Sequence, residues 1–174
     1  MNTEITVKSE KIFEGKIINL RVDTVELEDK KYTKREIVEH KDASAILAVN
    51  EKNEMLLVKQ YRKAVEDFLY EVPAGIINIA EEPIECALRE LKEETGFEAK
   101  KIKKLFEFYT SPGFSNEKLF LFKAEELTFT STNFDEDEFI ESISVSKEEV
   151  KKMLETGKIL DSKTLIAIIH WLNS

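Results

Sequence analysis

The chain has 174 residues, 42% apolar and 35% charged, and its 26 basic and 35 acidic side chains leave a formal net charge of -9. That length suits one domain, or one domain with a small appendage, and this apolar fraction with mixed charges excludes a disordered chain. The acidic excess argues against nucleic acid as a partner, because phosphate-binding surfaces are basic. Cys86 is the single cysteine, so no intrachain disulfide forms, as suits a reducing compartment. No run approaches the roughly 18 apolar residues of a membrane span. The start, Met1-Asn2-Thr3-Glu4, lacks the basic-then-apolar layout of a signal peptide. A soluble cytoplasmic protein with no membrane partner is the expectation.

The first forty residues read as strands, with Ile5 and Val7 alternating with polar neighbours and Val22, Val25 and Leu27 doing so less regularly. Glu28 to Lys31 reads as a turn before Tyr32 to His40. These segments are too polar to make a core alone and need the rest of the chain, or another copy, to pack against. Ala45 to Val49 is a buried strand, Asn50 to Asn53 a turn, and Met55 to Val58 the returning strand. Leu69 to Val72 is a short strand stopped by Pro73 and Gly75. A helix follows, with Pro83 in its first turn and Gly96 just past its end. Further strands are expected at Ile102 to Tyr109, Leu119 to Lys123 and Phe139 to Val145. Ser146 and Glu149 form a capping box for a helix that Gly157 ends. Asp161 caps a last helix whose Leu165, Ile168, Ile169 and Leu172 share one face. The pattern predicts an α/β (α+β) protein, a sheet sandwiched by helices, with a β-rich arm over residues 1–40 and a main domain over 41–174.

The most informative stretch runs from Gly75 to Phe97, GIINIAEEPIECALRELKEETGF. At about 100° per residue, Ile84, Ala87, Leu88 and Leu91 fall on one stripe, with Glu90, Glu93 and Glu94 beside it. Such an acidic face is ordinarily solvated surface. Carboxylates about 6 Å apart repel by up to about 3 kcal/mol at an effective dielectric of 20. A divalent cation among the oxygens relieves that repulsion, as hard Mg²⁺ does. Arg89 lies on the far side of Glu93, where it can hold that carboxylate.

Gly75, Glu81 and the run Arg89-Glu90-Leu91-Lys92-Glu93-Glu94-Thr95-Gly96-Phe97 fill every defined position of the Nudix box at the right spacing, and the chain resembles the Nudix hydrolase family. The resemblance implies the Nudix α/β/α sandwich and hydrolysis of a nucleoside diphosphate linked to another group. It also implies two to three Mg²⁺ or Mn²⁺ ions. Carried over position by position, Glu90 and Glu94 are the expected direct metal ligands and Glu93 a further or supporting one. The backbone carbonyl of Ala74 is expected to add a ligand, with Arg89, Gly75 and Gly96 in supporting positions.

The resemblance extends over roughly residues 30–172. Glu71-Val72-Pro73-Ala74-Gly75 resembles the lead-in of ADP-ribose pyrophosphatases, and Ser111-Pro112-Gly113 resembles their SPG segment, with Pro112 the residue associated with that subfamily. The implied reaction converts ADP-ribose to AMP and ribose 5-phosphate, with GDP-mannose or another nucleoside diphosphate sugar as the rival substrate. A non-catalytic ADP-ribose sensor is the rival from another class, disfavoured by the intact box. RNA decapping is disfavoured by the lack of a basic track. Relatives usually carry Gly-Glu where this chain has Ala80-Glu81. Family members supply a catalytic glutamate from the acidic loop before the last strand; Glu138 is the first choice for that base and Glu136 the second, although an acidic loop alone reads as solvated surface. Arg62 matches an arginine that grips substrate phosphates, a task suited to a fork of donors. Arg35 lies in a segment similar to one that reaches the partner's site in dimeric relatives, so a homodimer is expected. Tyr32 and Phe13 are aromatics for stacking on adenine, although strand aromatics ordinarily belong to a core. His40, His170 and Cys86 read as structural. The acidic excess has a location. Residues 75–97 hold six acids against Arg89 and Lys92, and residues 133–142 hold five acids and no base, which together account for the whole net charge.

Overall fold

The computed structural model describes residues 3–130 and 140–174, which form two units. The first comprises residues 1–42 and 108–118, the second residues 43–107 and 119–174. In the first unit β1 (Ile5–Glu14), β2 (Ile18–Glu26) and β3 (Tyr32–His40) form an antiparallel sheet in the order β1-β2-β3. The predicted turn closes with Leu27 N–H on Lys31 O at 2.8 Å. Its tip, Lys30, takes a left-handed φ of 63°. The sheet is thinly packed: β1 is exposed along its whole length and Val25 is the buried apolar side chain. The 108–118 segment docks on the end of β3. Val38 N–H donates to Phe114 O at 2.8 Å, and His40 N–H donates to the Asn116 side chain at 2.9 Å.

The second unit holds two sheets. One is β10-β5-β6, from Glu141–Val145, Met55–Arg62 and Asp67–Glu71. The other is β7-β4-β9-β8, from Ala74–Ile76, Ala43–Ala48, Lys118–Phe129 and Phe97–Tyr109. It is mixed, since β4 runs parallel to β9 and antiparallel to β7. Every residue of β4 is buried, as its unbroken run of small and aliphatic side chains requires of a strand covered on both faces. Helix α1 (Pro83–Thr95) packs on β4 and β7, and Ala87 and Leu91 join Ile46, Ala48, Leu56, Phe122 and Ala124 in one core cluster. Helix α2 (Lys147–Glu155) starts at the predicted Ser146–Glu149 capping box. Helix α3 (Ser162–Leu172), capped by Asp161, packs on β4 and β6. Among the described residues no helix is long and apolar enough to cross a membrane.

β6 stops at Glu71, ahead of Pro73 as expected, but Gly75 lies inside a further short strand: β7 begins at Ala74 because β4 offers Ala45 and Ser44 as partners for Ala74 and Gly75. Two expectations about helix faces are corrected. The buried face of α1 is turned away from the predicted stripe. Ile84 is exposed, while Cys86, Glu94 and Thr95 are buried beside Ala87 and Leu91. On α3 Ile168 is buried as expected, but Ile169 is exposed, and Thr164, Ala167 and Trp171 join Ile168 on the inward face.

Candidate active site

The site is built where β6 hands the chain to β7 and α1. Pro73 O accepts from Ile46 N–H at 2.9 Å, and β7 is held to β4, so the backbone from Pro73 to Ile76 is pinned to the sheet. The Ser44 hydroxyl donates to Pro83 O at 2.7 Å and ties the first turn of α1 to the same strand. The acidic side chains of α1 therefore have a fixed wall to work against.

Glu94 is 4% exposed, and its Oε2 accepts the Ala74 N–H at 3.0 Å. A buried carboxylate is tolerated only where it is hydrogen-bonded or near positive charge. Glu90 lies over Gly75 so closely that a Cβ there would fall 1.8 Å from its Oε1. Only glycine leaves that space, which gives Gly75 its steric role.

Arg89 reaches more partners than Glu93. Its Nε and Nη2 fork onto Glu81 at 2.8 and 3.1 Å. Its Nη1 donates to Glu90 at 2.6 Å and Glu93 at 2.8 Å, and Nη2 also donates to Ile76 O at 3.2 Å. One guanidinium thus sits among three carboxylates, Glu81, Glu90 and Glu93, the last two of which belong to the acidic face conspicuous in the sequence. The hydrogen bond to Glu81 comes first among the causes that hold the Arg89 guanidinium firmly protonated; burial opposes it and the field of Glu90 adds to it. The same hydrogen bond holds the Glu81 carboxyl below the usual range, with burial opposing. Cys86 is buried, and burial pushes its thiol up to about 11, which makes it inert at neutral pH.

Arg62, at the end of β5, forks onto Glu71 with both bonds at 2.7 Å. Glu71 is 1% exposed, and Lys163 from α3 donates to its Oε2 at 2.5 Å. Burial pushes the Glu71 carboxyl up, but the Arg62 hydrogen bond and the charge of Lys163 outweigh it and hold it below the usual value. Arg62 is raised in turn, first by its hydrogen bond to Glu71, against burial, with the Glu71, Glu94 and Asp161 charges adding. Lys163 also bonds Asp161 at 3.0 Å. Asp161 takes the Thr164 hydroxyl at 2.6 Å, and that hydroxyl accepts the Val72 N–H at 2.8 Å.

Glu90, Glu93, Glu94, Ala74, Gly75, Arg89 and Arg62 all lie in the second unit, and Gly96 takes the left-handed φ of 76° that ends α1. Arg35 and Pro112 belong to the first unit, where Arg35 forks onto Glu4 and Pro112 sits in the 111–115 turn. Tyr32 and Phe13, also there, are exposed rather than core. Glu136 and Glu138 lie outside the described residues. Among the described residues no three acidic, histidine or cysteine side chains are gathered as a ready metal cluster. The donor set nevertheless suits a hard divalent ion. It is all oxygen, with the Glu90 carboxylate cradled over Gly75 and the buried Glu94 carboxylate against the Ala74 backbone. Sequence reasoning missed Lys163 and Thr164, which meet Glu71 and Val72 across 92 positions of chain and carry no local signal.

The NUDIX domain family matches residues 39–166, and the Nucleoside diphosphate sugar hydrolase N-terminal domain family matches residues 4–38. The chain belongs to the Nudix hydrolase family. It is 47% identical to an ADP-ribose pyrophosphatase of Bacillus subtilis (strain 168) and 42% identical to a methanol dehydrogenase activator of Bacillus methanolicus, covering 95% of this chain and 90% of each relative. A GDP-mannose pyrophosphatase of Enterobacter sp. (strain 638) is 33% identical, over 97% of this chain and 95% of the relative. A crystal structure of an ADP compounds hydrolase shares the fold with a TM-score of 0.87 at 20% identity, covering 98% of this chain and 94% of that one.

Proposed function

We propose that the protein hydrolyses the pyrophosphate bond of ADP-ribose, with Mg²⁺ or Mn²⁺, to AMP and ribose 5-phosphate. The observation that carries this reading is the meeting of Glu90 and Glu94 with the Ala74–Gly75 backbone, beside an arginine held by Glu71. The 47% identity to an ADP-ribose pyrophosphatase, against 33% to a GDP-mannose pyrophosphatase, supports ADP-ribose as the substrate.

Glu90, Glu94 and the Ala74 carbonyl would hold two to three ions, with Glu93 contributing. Bound there, the ions supply positive charge beside the phosphates and lower the pKa of an attacking water. Arg89 keeps Glu90 and Glu93 aimed from one side, so the carboxylates need no rearrangement at the moment of reaction. Arg62 spends two N–H groups on Glu71 and presents its other donors to a phosphate oxygen. Glu138, or failing it Glu136, takes the proton of the water that attacks phosphorus. Gly96 lets α1 stop one residue after Thr95, and Gly75 gives Glu90 its place.

The protein works in the cytoplasm as a homodimer built through the 1–40 arm, with 41–174 as the hydrolase domain. The exposed Ile5, Val7, Ile12 and Phe13 of β1 supply the apolar surface for that association, Arg35 reaches the partner's site through it, and Pro112 is the residue of the substrate loop. No nucleic acid or membrane takes part. The test is Glu94→Gln, which keeps an acceptor for the Ala74 N–H but removes the charge. Turnover of ADP-ribose should fall by about 10²–10³-fold while the melting temperature holds; a folded and fully active variant would contradict the assignment.

A further inference from the structure

We propose that Lys163 of α3 is a positioning residue for Arg62, and through it for the diphosphate of the substrate. This inference rests on the hydrolase reading above. Glu71 is 1% exposed and is held from two sides, by the Arg62 fork at 2.7 Å on both oxygens and by Lys163 at 2.5 Å on Oε2. The Lys163 side chain is 12% exposed, whereas that of Arg62 is 42% exposed. The mostly covered cation and the open one thus share a single buried anion.

Two consequences follow for Arg62. A carboxylate held by Arg62 alone can turn with the guanidinium, whereas one also anchored to α3 fixes the plane of the fork. Lys163 also offsets part of the Glu71 charge, so Arg62 keeps more of its pull on an anion. Asp161 steadies the Lys163 ammonium at 3.0 Å while its other oxygen accepts the Thr164 N–H and hydroxyl, which places the lysine at the start of a capped helix. Three N–H groups of Arg62 remain beyond the fork, on a side chain that is partly open to solvent. A guanidinium so held suits a phosphate oxygen without further ordering.

Lys163→Met removes the second cation and keeps the aliphatic length; Lys163→Arg keeps the charge. Steady-state kinetics on whichever nucleoside diphosphate sugar the wild type cleaves fastest, with Mg²⁺, should show KM raised about tenfold in Lys163→Met. The kcat should change less than about threefold, and Lys163→Arg should restore most of the loss. In an Arg62→Lys background, which keeps a charge on Glu71 but loses the fork, Lys163→Met should add less than about twofold. An unchanged KM, or an equal loss in both backgrounds, overturns the positioning role and leaves the hydrolase reading standing. If Lys163→Met fails to fold, Lys163→Gln is read against the same thresholds. A wild type that cleaves no nucleoside diphosphate compound overturns the reading and this inference together.

Discussion

Ala80 sits in the turn before α1 with a φ of 64°, a left-handed conformation that costs an L side chain about 1–2 kcal/mol. Glycine is the usual residue at this place in the proteins the box resembles, and the departure visible in the sequence is now a strained backbone position. The turn is kept by local bonds, Glu81 N–H to Asn78 O at 3.2 Å and Asn78 N–H to Glu81 Oε2 at 2.8 Å. Ala80→Gly should relieve the strain, less the greater freedom glycine has in the unfolded chain, for a net gain of about 0.5–1 kcal/mol. In a chain of this size a thermal melt should show a rise of about 1–4 °C. An unchanged or lower midpoint would mean that the turn carries no strain. The identities of Glu90, Glu93 and Glu94 were legible because the box specifies residue type and spacing together. The burial of Glu94 was not, because its partner, the Ala74 N–H, lies in a strand formed only by pairing with β4.

Among the elements, those governed by neighbouring residues were readable and those governed by distant ones were not. The caps of α2 and α3 are three-residue relationships, Ser146 with Glu149 and Asp161 with Thr164, and both form as read. The face of α1 turned because Glu94 is bonded inward, which an apolar stripe cannot anticipate. Thr164 shows the same limit. Its hydroxyl is wholly buried, donates to Asp161 and accepts the Val72 N–H that leads into the site. Thr164→Val keeps the shape and strands that N–H, at a cost of about 1–3 kcal/mol. The expected result in a thermal melt is a fall of about 2–12 °C. A midpoint within a degree of the wild type would show that the bond carries no net stability.

For the whole molecule, the acidity that first argued against phosphate-bearing partners is concentrated at the proposed chemistry. One group of acids is on the 75–97 segment, where Arg89 orders Glu81, Glu90 and Glu93, and the other is at 133–142, which the described residues reach only from Ile140 onward. The filled box from Gly75 to Phe97 made the family legible from sequence. The choice of substrate was less so, since Pro112 and Arg35 lie in the first unit and base-reading residues carry no comparable spacing rule. The most direct test is the wild-type rate on ADP-ribose, GDP-mannose, NADH, diadenosine polyphosphates and nucleoside triphosphates, each with and without Mg²⁺. The account predicts the highest kcat/KM for ADP-ribose, with AMP and ribose 5-phosphate as products and no turnover in chelator. A preference for any other compound, or turnover that survives chelation, would contradict it.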